Sequence, residues 1–454
     1  MKKSRPFIAG ACCGGFAAIA AALAIFLFAA GTDSRARPSV ADLALVGGII
    51  EIVERDYVHP IAPSELTTDA LKGMLGRLDP HSDYMDETEY RESQADLSGK
   101  FGGLGIQIST QNGIPKVISP IDDTPAARAG LAPGDLIVAI DGRSTHGIEL
   151  TKVVRILRGD PGTSVKLTIS RGETPPFDVA ITRAIIQVPS VKSKLQPDNV
   201  GYVRITEFGN DTPTDFESAI ATLKKDAGGQ LRGLVIDLRN DPGGLLTSAI
   251  SVAGNFLDGG TVVSVKGRHR EDDRSFGPPG SGDILKGVPI VVLINGASAS
   301  ASEIVAGALQ DRRRATVMGT QTFGKGSVQS VIPLRGHGAL RLTTALYYTP
   351  AGRSIQGEGI APDIVVEAPK DQQVAAAVML RENELHGAFA NPGSLGGTRT
   401  KKGATPTATP LPPPKPPADT AALHSPAIKA DLIGTPDDAQ LKAALEQLAR
   451  MAAN

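Results

Sequence analysis

The most constraining stretch of this 454-residue chain is Val288-Pro-Ile-Val-Val-Leu-Ile294, which runs into Asn295-Gly-Ala-Ser-Ala-Ser-Ala-Ser-Glu303 and then into Ile304-Val-Ala-Gly-Ala-Leu309. The first segment reads as a strand and the last as a helix. A strand that breaks into small residues and then opens a helix gathers a side chain and several unpaired backbone N–H groups at one point. Such a point can hold an attacking oxygen beside a developing oxyanion. It equally suits an ordinary helix cap, because Ser300-x-x-Glu303 has the spacing of a capping box. These residues alone leave both readings open.

The surroundings alternate between strands and helices. Strands are expected at 201–205 and 233–238 around a helix at 213–225. Arg239-Asn-Asp-Pro-Gly-Gly244 is a glycine-rich loop feeding a helix at 245–256, followed by a strand at 262–265 and a charged, Gly/Pro-rich loop at 267–282. Beyond the serine helix, strands are expected at 314–318, 328–333, 340–347 and 364–367. The alternation argues for an α/β core over residues 186–369 with a substantial buried sheet.

Before this core, apolar residues at helical spacing (Leu43, Val46, Ile50, Val53, then Leu71, Met74, Leu75, Leu78) mark an N-terminal helical region over 38–97. Asp79-Pro-His-Ser-Asp83 reads as a turn or helix cap. His81 with Asp79 and Asp83 has no further ligand spaced nearby, so no metal site is expected. Met1-Lys-Lys-Ser-Arg5 and the uncharged apolar run from Phe7 to Ala30 read as a signal peptide or a signal anchor over residues 1–31. Positive residues ahead of the run send the remainder across the membrane. The expected location is therefore periplasmic, with anchoring to the inner membrane if the segment is uncleaved. Net charge is −1 with no long basic run, which excludes nucleic acid as a partner. Cys12 and Cys13, both in the apolar segment, leave the rest of the chain without a disulfide framework. After Lys370 the chain is read as a C-terminal tail over 370–454, with a Pro-rich linker at 401–417 and an amphipathic helix at 437–451 carrying Leu441, Leu445 and Leu448 on one side.

Residues 98–185 have the order of short strands and helices that resembles a PDZ domain in its circularly permuted bacterial form, with Ala132-Pro-Gly-Asp-Leu-Ile137 the most specific match. The resemblance implies that backbone N–H groups around Gly103, Leu104, Gly105 and Ile106 receive a peptide carboxylate while the peptide adds a strand to the sheet edge.

Two further motifs bear on chemistry. Gly319-Thr-Gln-Thr-Phe-Gly-Lys-Gly326 nearly matches a phosphate loop. It has glycine where the magnesium-binding hydroxyl belongs, and a strand-like Ser327-Val-Gln-Ser-Val-Ile332 follows where a helix should open. An NTPase is excluded on both counts. Lys325 instead lies between two apolar strands, where desolvation would disfavour its ammonium form and suit it to general-base work. If Lys325 and Gln329 share one strand, the two-residue period turns both to one face. A Ser-His-Asp triad would have to draw on His269 or His337, the two of the seven histidines inside the core, and both sit in polar or Gly-rich loops. The penicillin-binding S-x-x-K spacing is absent, since Glu303 stands three residues after Ser300.

Ser298-Ala-Ser-Ala-Ser-Glu303, Thr322-Phe-Gly-Lys-Gly-Ser-Val-Gln329, Tyr348-Thr-Pro-Ala-Gly-Arg-Ser-Ile-Gln356 and Gly359-Ile-Ala-Pro-Asp363 together resemble the carboxy-terminal processing peptidases, or tail-specific proteases. Leu78-Asp-Pro-His-Ser82 and Phe101-Gly-Gly-Leu-Gly105 extend the likeness to roughly residues 40–367. The resemblance implies a PDZ domain inserted before a crotonase- or Clp-protease-like α/β core. It implies a serine endopeptidase with Ser300 as nucleophile, Lys325 as general base and Gln329 positioning the lysine. Its oxyanion hole would use the N–H of Ala301 and one from the glycine loop, assigned to Gly243 with Gly244 left open. The implied partners are proteins or peptides with free C-termini, with no metal or cofactor. An adaptor and a homo-oligomer are left open, and the alternative is a non-catalytic exported PDZ scaffold or holdase.

Overall fold

The computed structural model describes residues 39–121, 123–280, 282–374, 380–393 and 427–453, so the apolar N-terminal segment and the Pro-rich linker lie outside the described residues. Contacts separate a first unit, ending at Ala70, from a second beginning at Leu71. In the first, helix α1 (Val40–Asp56) is capped by Ser39, whose Oγ accepts from the Asp42 N–H while Asp42 Oδ2 accepts from the Ser39 N–H. Its apolar residues Leu43, Val46, Ile49 and Ile52 are exposed. Helix α2 (Pro63–Leu75) follows. Among the described residues no helix is long and apolar enough to cross a membrane.

In the second unit, β1 (Asp83–Met85) and α3 (Glu87–Leu97) lead through β2 (Lys100–Gly103) into a six-stranded antiparallel sheet. Its strands are β3 (Ile106–Gln111), β4 (Ile114–Pro120), β5 (Leu136–Ile140), β6 (Arg143–Ser144), β7 (Ser164–Ser170) and β8 (Phe177–Thr182). Helices α4 (Pro125–Arg128) and α5 (Leu150–Leu157) accompany the sheet, and Val153 and Leu157 of α5 are buried with Ile137, Leu167 and Ile169. Strand β9 (Ala184–Gln187) returns to pair with β2, so the chain enters and leaves this PDZ-like domain side by side.

The core sheet runs β10 (Val191–Gln196), β11 (Val200–Ile205), β12 (Gly233–Asp237), β15 (Ile290–Ile294), β16 (Thr316–Gly319), β19 (Ile364–Val365). All pairings but β10–β11 are parallel. Helices α6 (Thr212–Asp226), α7 (Leu246–Gly254) and α8 (Ala301–Asp311) share the core with Leu234, Ile236, Val292 and Ile294. The alternate residues Val235, Val291 and Leu293 meet Leu441, Ala444 and Leu448 of the terminal helix α9 (Ala439–Ala453). A strand covered on both faces can be apolar at every position, which is why residues 290–294 show no alternation. Burying Leu441 and Leu448 is worth about 1.5–3 kcal/mol each. The fully buried Arg239 fastens the same helix from its start, donating to Asp237 and to Asp438 Oδ2 at 2.6 Å.

A second sheet is built on β18 (Ala339–Tyr348), which pairs with β1, with β13 (Val263–Gly267) and with β17 (Ser327–Pro333). The loop expected at 267–282 contains an extra strand, β14 (Arg274–Phe276), paired with β13. Two features differ from expectation near the lysine. Strand β17 begins at Ser327, so Lys325 lies in the preceding loop, and the register slips between Val328 and Gln329. Lys325 and Gln329 therefore do not share a regular strand face.

Candidate active site

Ser300 stands between β15 and α8 with φ 55° and ψ −111°, a backbone conformation that costs a non-glycine residue about 1–3 kcal/mol. The neighbouring serines help to hold it there. Ser298 Oγ donates to the Leu238 carbonyl at 2.7 Å and accepts from the Asn295 N–H, and Ser302 Oγ donates to the Asp241 carbonyl at 3.1 Å. The Ala299 N–H also donates to the Asp241 carbonyl. The Ser298 hydroxyl also lies 3.4 Å from Asn295 Oδ1, whereas that of Ser300 is turned to a residue of a distant strand. Ser300 Oγ lies 2.8 Å from the hydroxyl of buried Tyr347.

Glu303, one turn into α8 and fully buried, is the hub of the site. Its Oε2 accepts the Ser300 N–H at 2.7 Å and the Lys325 N–H at 2.9 Å. Its Oε1 accepts Thr322 Oγ1 and the Gly324 N–H at 2.7 Å. One carboxylate thus fastens the backbones of both sequence-predicted reactive residues, and all four of its lone-pair positions are used. Burial pushes its carboxyl up to about 7, while the four donors limit the rise. The capping reading is half realised: Glu303 reaches back to the Ser300 N–H while the Ser300 hydroxyl pairs with Tyr347.

The side chain of Lys325 makes no hydrogen bond or ion pair among the described residues. Desolvation lowers its pKa from the ordinary 10.5; the charges of Glu382, Glu303 and Asp79 oppose the shift and that of Arg341 adds to it. Gln329 is directed elsewhere: its Nε2 donates to Ser327 Oγ at 2.9 Å and to Thr343 Oγ1 at 3.2 Å. Thr343 Oγ1 donates in turn to Asp79 Oδ1 at 3.0 Å. The other Asp79 contacts, from His81 N–H, Ser82 N–H and Ser82 Oγ, are those of the expected turn cap. No metal-ligand cluster occurs among the described residues.

The glycine loop packs directly against Ser300. A Cβ on Gly243, whose φ is 100°, would lie 2.6 Å from the Ala299 oxygen and 2.8 Å from the Ala301 nitrogen, so only glycine fits. The Gly243 N–H is already given to Asp241 Oδ1 at 2.8 Å. The Gly244 and Ala301 N–H groups have no hydrogen-bond partner among the described residues.

Several neighbours of the site escaped the sequence reading. Glu382 is fully buried and accepts from Gln356 Nε2 at 2.9 Å; its Oε2 lies 2.9 Å from His81 Nε2. Gln356 Oε1 accepts the Gly326 N–H at 3.0 Å, and Arg381 donates to the Thr322 and Glu358 carbonyls. The segment 380–385 therefore clasps the lysine loop, although the chain after Lys370 carries no motif that announces it.

The four residues expected to receive a peptide carboxylate lie together. The Leu104 carbonyl accepts from the Ala126 N–H and the Gly105 carbonyl from the Ile121 N–H, while the Leu104 and Gly105 N–H groups have no partner among the described residues. Gly105 has φ 77°, and a Cβ there would lie 2.3 Å from Thr124. Gly103 ends β2 and Ile106 begins β3, and all four line a groove with Ile108, Val154 and Leu157.

The chain matches the model of peptidase family S41 over residues 199–366 and that of the PDZ domain over 116–171. It is 49% identical over 359 residues to a carboxy-terminal-processing protease of Bartonella bacilliformis, covering 78% of this chain and 82% of that protein. The chain belongs to the carboxy-terminal-processing peptidases of family S41. A probable CtpA-like serine protease of Staphylococcus haemolyticus is 37% identical, over 71% of this chain and 64% of its own length. Among solved structures, the photosystem II D1 C-terminal processing protease is 28% identical, covers 72% of this chain and 94% of its own, and has a TM-score of 0.44. The protein is a serine peptidase with a PDZ domain, and its substrates are proteins or peptides.

Proposed function

We propose that this S41 peptidase hydrolyses exported proteins at or near their C-termini by a Ser300–Lys325 dyad, with the substrate C-terminus captured by the PDZ domain. The observation that carries the reading is the Glu303 carboxylate, whose single Oε2 accepts both the Ser300 and the Lys325 N–H. In acylation Ser300 Oγ attacks the scissile carbonyl and neutral Lys325 takes its proton, then hands it to the leaving amine. In deacylation the same amine activates water. The Ala301 and Gly244 N–H groups receive the oxyanion, each worth about 2.7–4 kcal/mol by the cost of deleting such a donor. Gln329 makes no hydrogen bond to the Lys325 amine and bonds Ser327, which follows the lysine loop, and Thr343 instead. A free carboxylate at the substrate end would be met by the Leu104 and Gly105 N–H groups. The positive start and apolar run of residues 1–31 favour periplasmic action tethered to the inner membrane.

The test is cleavage of an unfolded protein by the full chain in detergent, with the substrate carrying either a free or an amidated C-terminus. The reading expects no turnover from Ser300→Ala or Lys325→Ala and slower turnover of the amidated substrate. Full activity in Lys325→Ala would falsify the dyad, and equal cleavage of the two substrates would remove the carboxylate from recognition.

A further inference from the structure

Tyr347 has no part in the mechanism just given, yet its hydroxyl lies 2.8 Å from the Ser300 oxygen. The side chain is 4% exposed, and Ser300 is the one partner of its hydroxyl among the described residues. Its backbone is fastened to the loop that carries the lysine, since the Tyr347 N–H donates to the Gly326 carbonyl at 2.9 Å. We propose that Tyr347 is a further catalytic residue, whose phenol donates to Ser300 Oγ and stabilises the charge gathering there while the serine proton resides on the base. The proposal rests on the reading of Ser300 as nucleophile.

The arrangement has a defined polarity. Burial pushes the phenol well above its ordinary range, so it remains an O–H donor wherever the enzyme works. A serine hydroxyl has one proton to give and two lone pairs to offer. With Tyr347 donating into one lone pair, the Ser300 proton is free for neutral Lys325, and the remaining pair can form the bond to carbon. In acylation the O–H bond of Ser300 breaks, the proton passes to Lys325, the Oγ–C bond forms, and the carbonyl π pair moves onto oxygen; that pair then returns, the C–N bond breaks, and the Lys325 ammonium gives its proton to the leaving amine. In deacylation water gives a proton to neutral Lys325 and forms the new O–C bond, and as this intermediate collapses the C–Oγ bond breaks and the Lys325 ammonium gives that proton to Oγ. Tyr347 transfers no proton in either step. It holds one hydrogen bond that strengthens as Oγ gains charge and weakens as that charge leaves, which is the condition for accelerating a step rather than merely binding in it. Deleting a donor aimed at developing charge slows such reactions by roughly 100-fold or more. A donor on the nucleophile, where charge is transient, should cost about 10–100-fold by the same reasoning.

The bland account is that a buried phenol needs a partner and Ser300 supplies it. Tyr347→Phe separates the two because it keeps the ring. In the full-length enzyme, kcat and KM on an unfolded protein substrate, the rate of Ser300 labelling by a fluorophosphonate, and the melting temperature would be measured together. The proposal expects kcat and the labelling rate to fall together by about 10–100-fold, with KM and melting temperature little changed. Rates equal to the wild type would reduce Tyr347 to a partner of convenience, and faster rates would make it a restraint on the nucleophile; either overturns the proposal. If the wild-type label maps to a residue other than Ser300, the nucleophile assignment fails and takes the proposal with it. Should Tyr347→Phe not fold, 3,5-difluorotyrosine at position 347 keeps the hydroxyl but ionises at lower pH. An alkaline loss of kcat absent from the wild type is then expected, and superimposable pH profiles would refute the donor role.

Discussion

Replacing Glu303 by Gln keeps the shape of the hub and removes its charge. In the folded protein the carboxyl sits at about 7 against an ordinary 4.5, so the difference, at about 1.36 kcal/mol per pH unit, amounts to about 3 kcal/mol. The sign follows from proton binding. Between pH 4.5 and 7 the folded state holds the Glu303 proton and the unfolded state has lost it, so this contribution is fully present below 4.5 and disappears as pH rises through about 7. The wild type should therefore lose about 3 kcal/mol of stability across that window from this group, and Glu303→Gln should not. Against this, the amide leaves one or two N–H donors among Ser300, Gly324 and Lys325 without an acceptor, at about 1–3 kcal/mol each. The variant should thus be clearly weaker near pH 5 and approach the wild type near pH 8. The chain contains no tryptophan, so urea unfolding followed by far-UV circular dichroism is the suitable assay. A stability difference that stays constant from pH 4.5 to 8 would refute the reasoning, because Glu303 would then not be titrating inside that window. Activity of the variant should fall at every pH, since the carboxylate also fastens the backbones of Ser300 and Lys325.

Three other expectations follow from the geometry. The rate of acylation should rise with pH through an inflection below 10.5; Glu382→Gln should move that inflection down and Arg341→Ala should move it up, as pre-steady-state labelling across pH would show. Gly243→Ala forces a Cβ to 2.6 Å from the Ala299 oxygen beside Ser300, so its turnover should drop at least roughly 100-fold while PDZ-peptide binding by fluorescence anisotropy is retained. Leu448→Ala, on the terminal helix packed against the core sheet, should cost about 2–5 kcal/mol in urea unfolding; a loss under 1 kcal/mol would mean that the helix contributes little to the core.

The α/β alternation and the strand-to-helix break at Ser300 were legible because both depend on local pattern: a strand buried on two faces, small residues where backbones approach, and a helix opening on polar residues. The PDZ-like order was legible for the same reason. What was not legible depends on distant chain. Nothing in a strand such as β18 marks Tyr347 as the residue whose hydroxyl reaches a serine 47 positions away. The Gln329 expectation assumed regular alternation, and an irregularity at Val328/Gln329 breaks that period without leaving a trace in composition. Glu382 and Arg381 follow the last recognisable motif and act through contacts with Gln356, His81 and the Thr322 carbonyl, so their place at the site emerges only once the fold is assembled. The leucine spacing of the terminal helix announced an apolar face, whereas its landing place on Val235, Val291 and Leu293 required the other face of the sheet. That Asp241 takes the Gly243 N–H could not be read from the loop sequence either, because it depends on how the loop closes on itself.

The account stands most directly on one mass-spectrometric measurement. The full-length enzyme and Lys325→Ala would be treated with a fluorophosphonate at a pH near 8, digested, and the adduct located by peptide sequencing. The account predicts a single adduct on Ser300 in the wild type, with labelling of the lysine variant slowed by at least roughly 100-fold, in line with the loss of a general base. An adduct on Ser298 or Ser302, or equally fast labelling of Ser300 without the lysine, would contradict it.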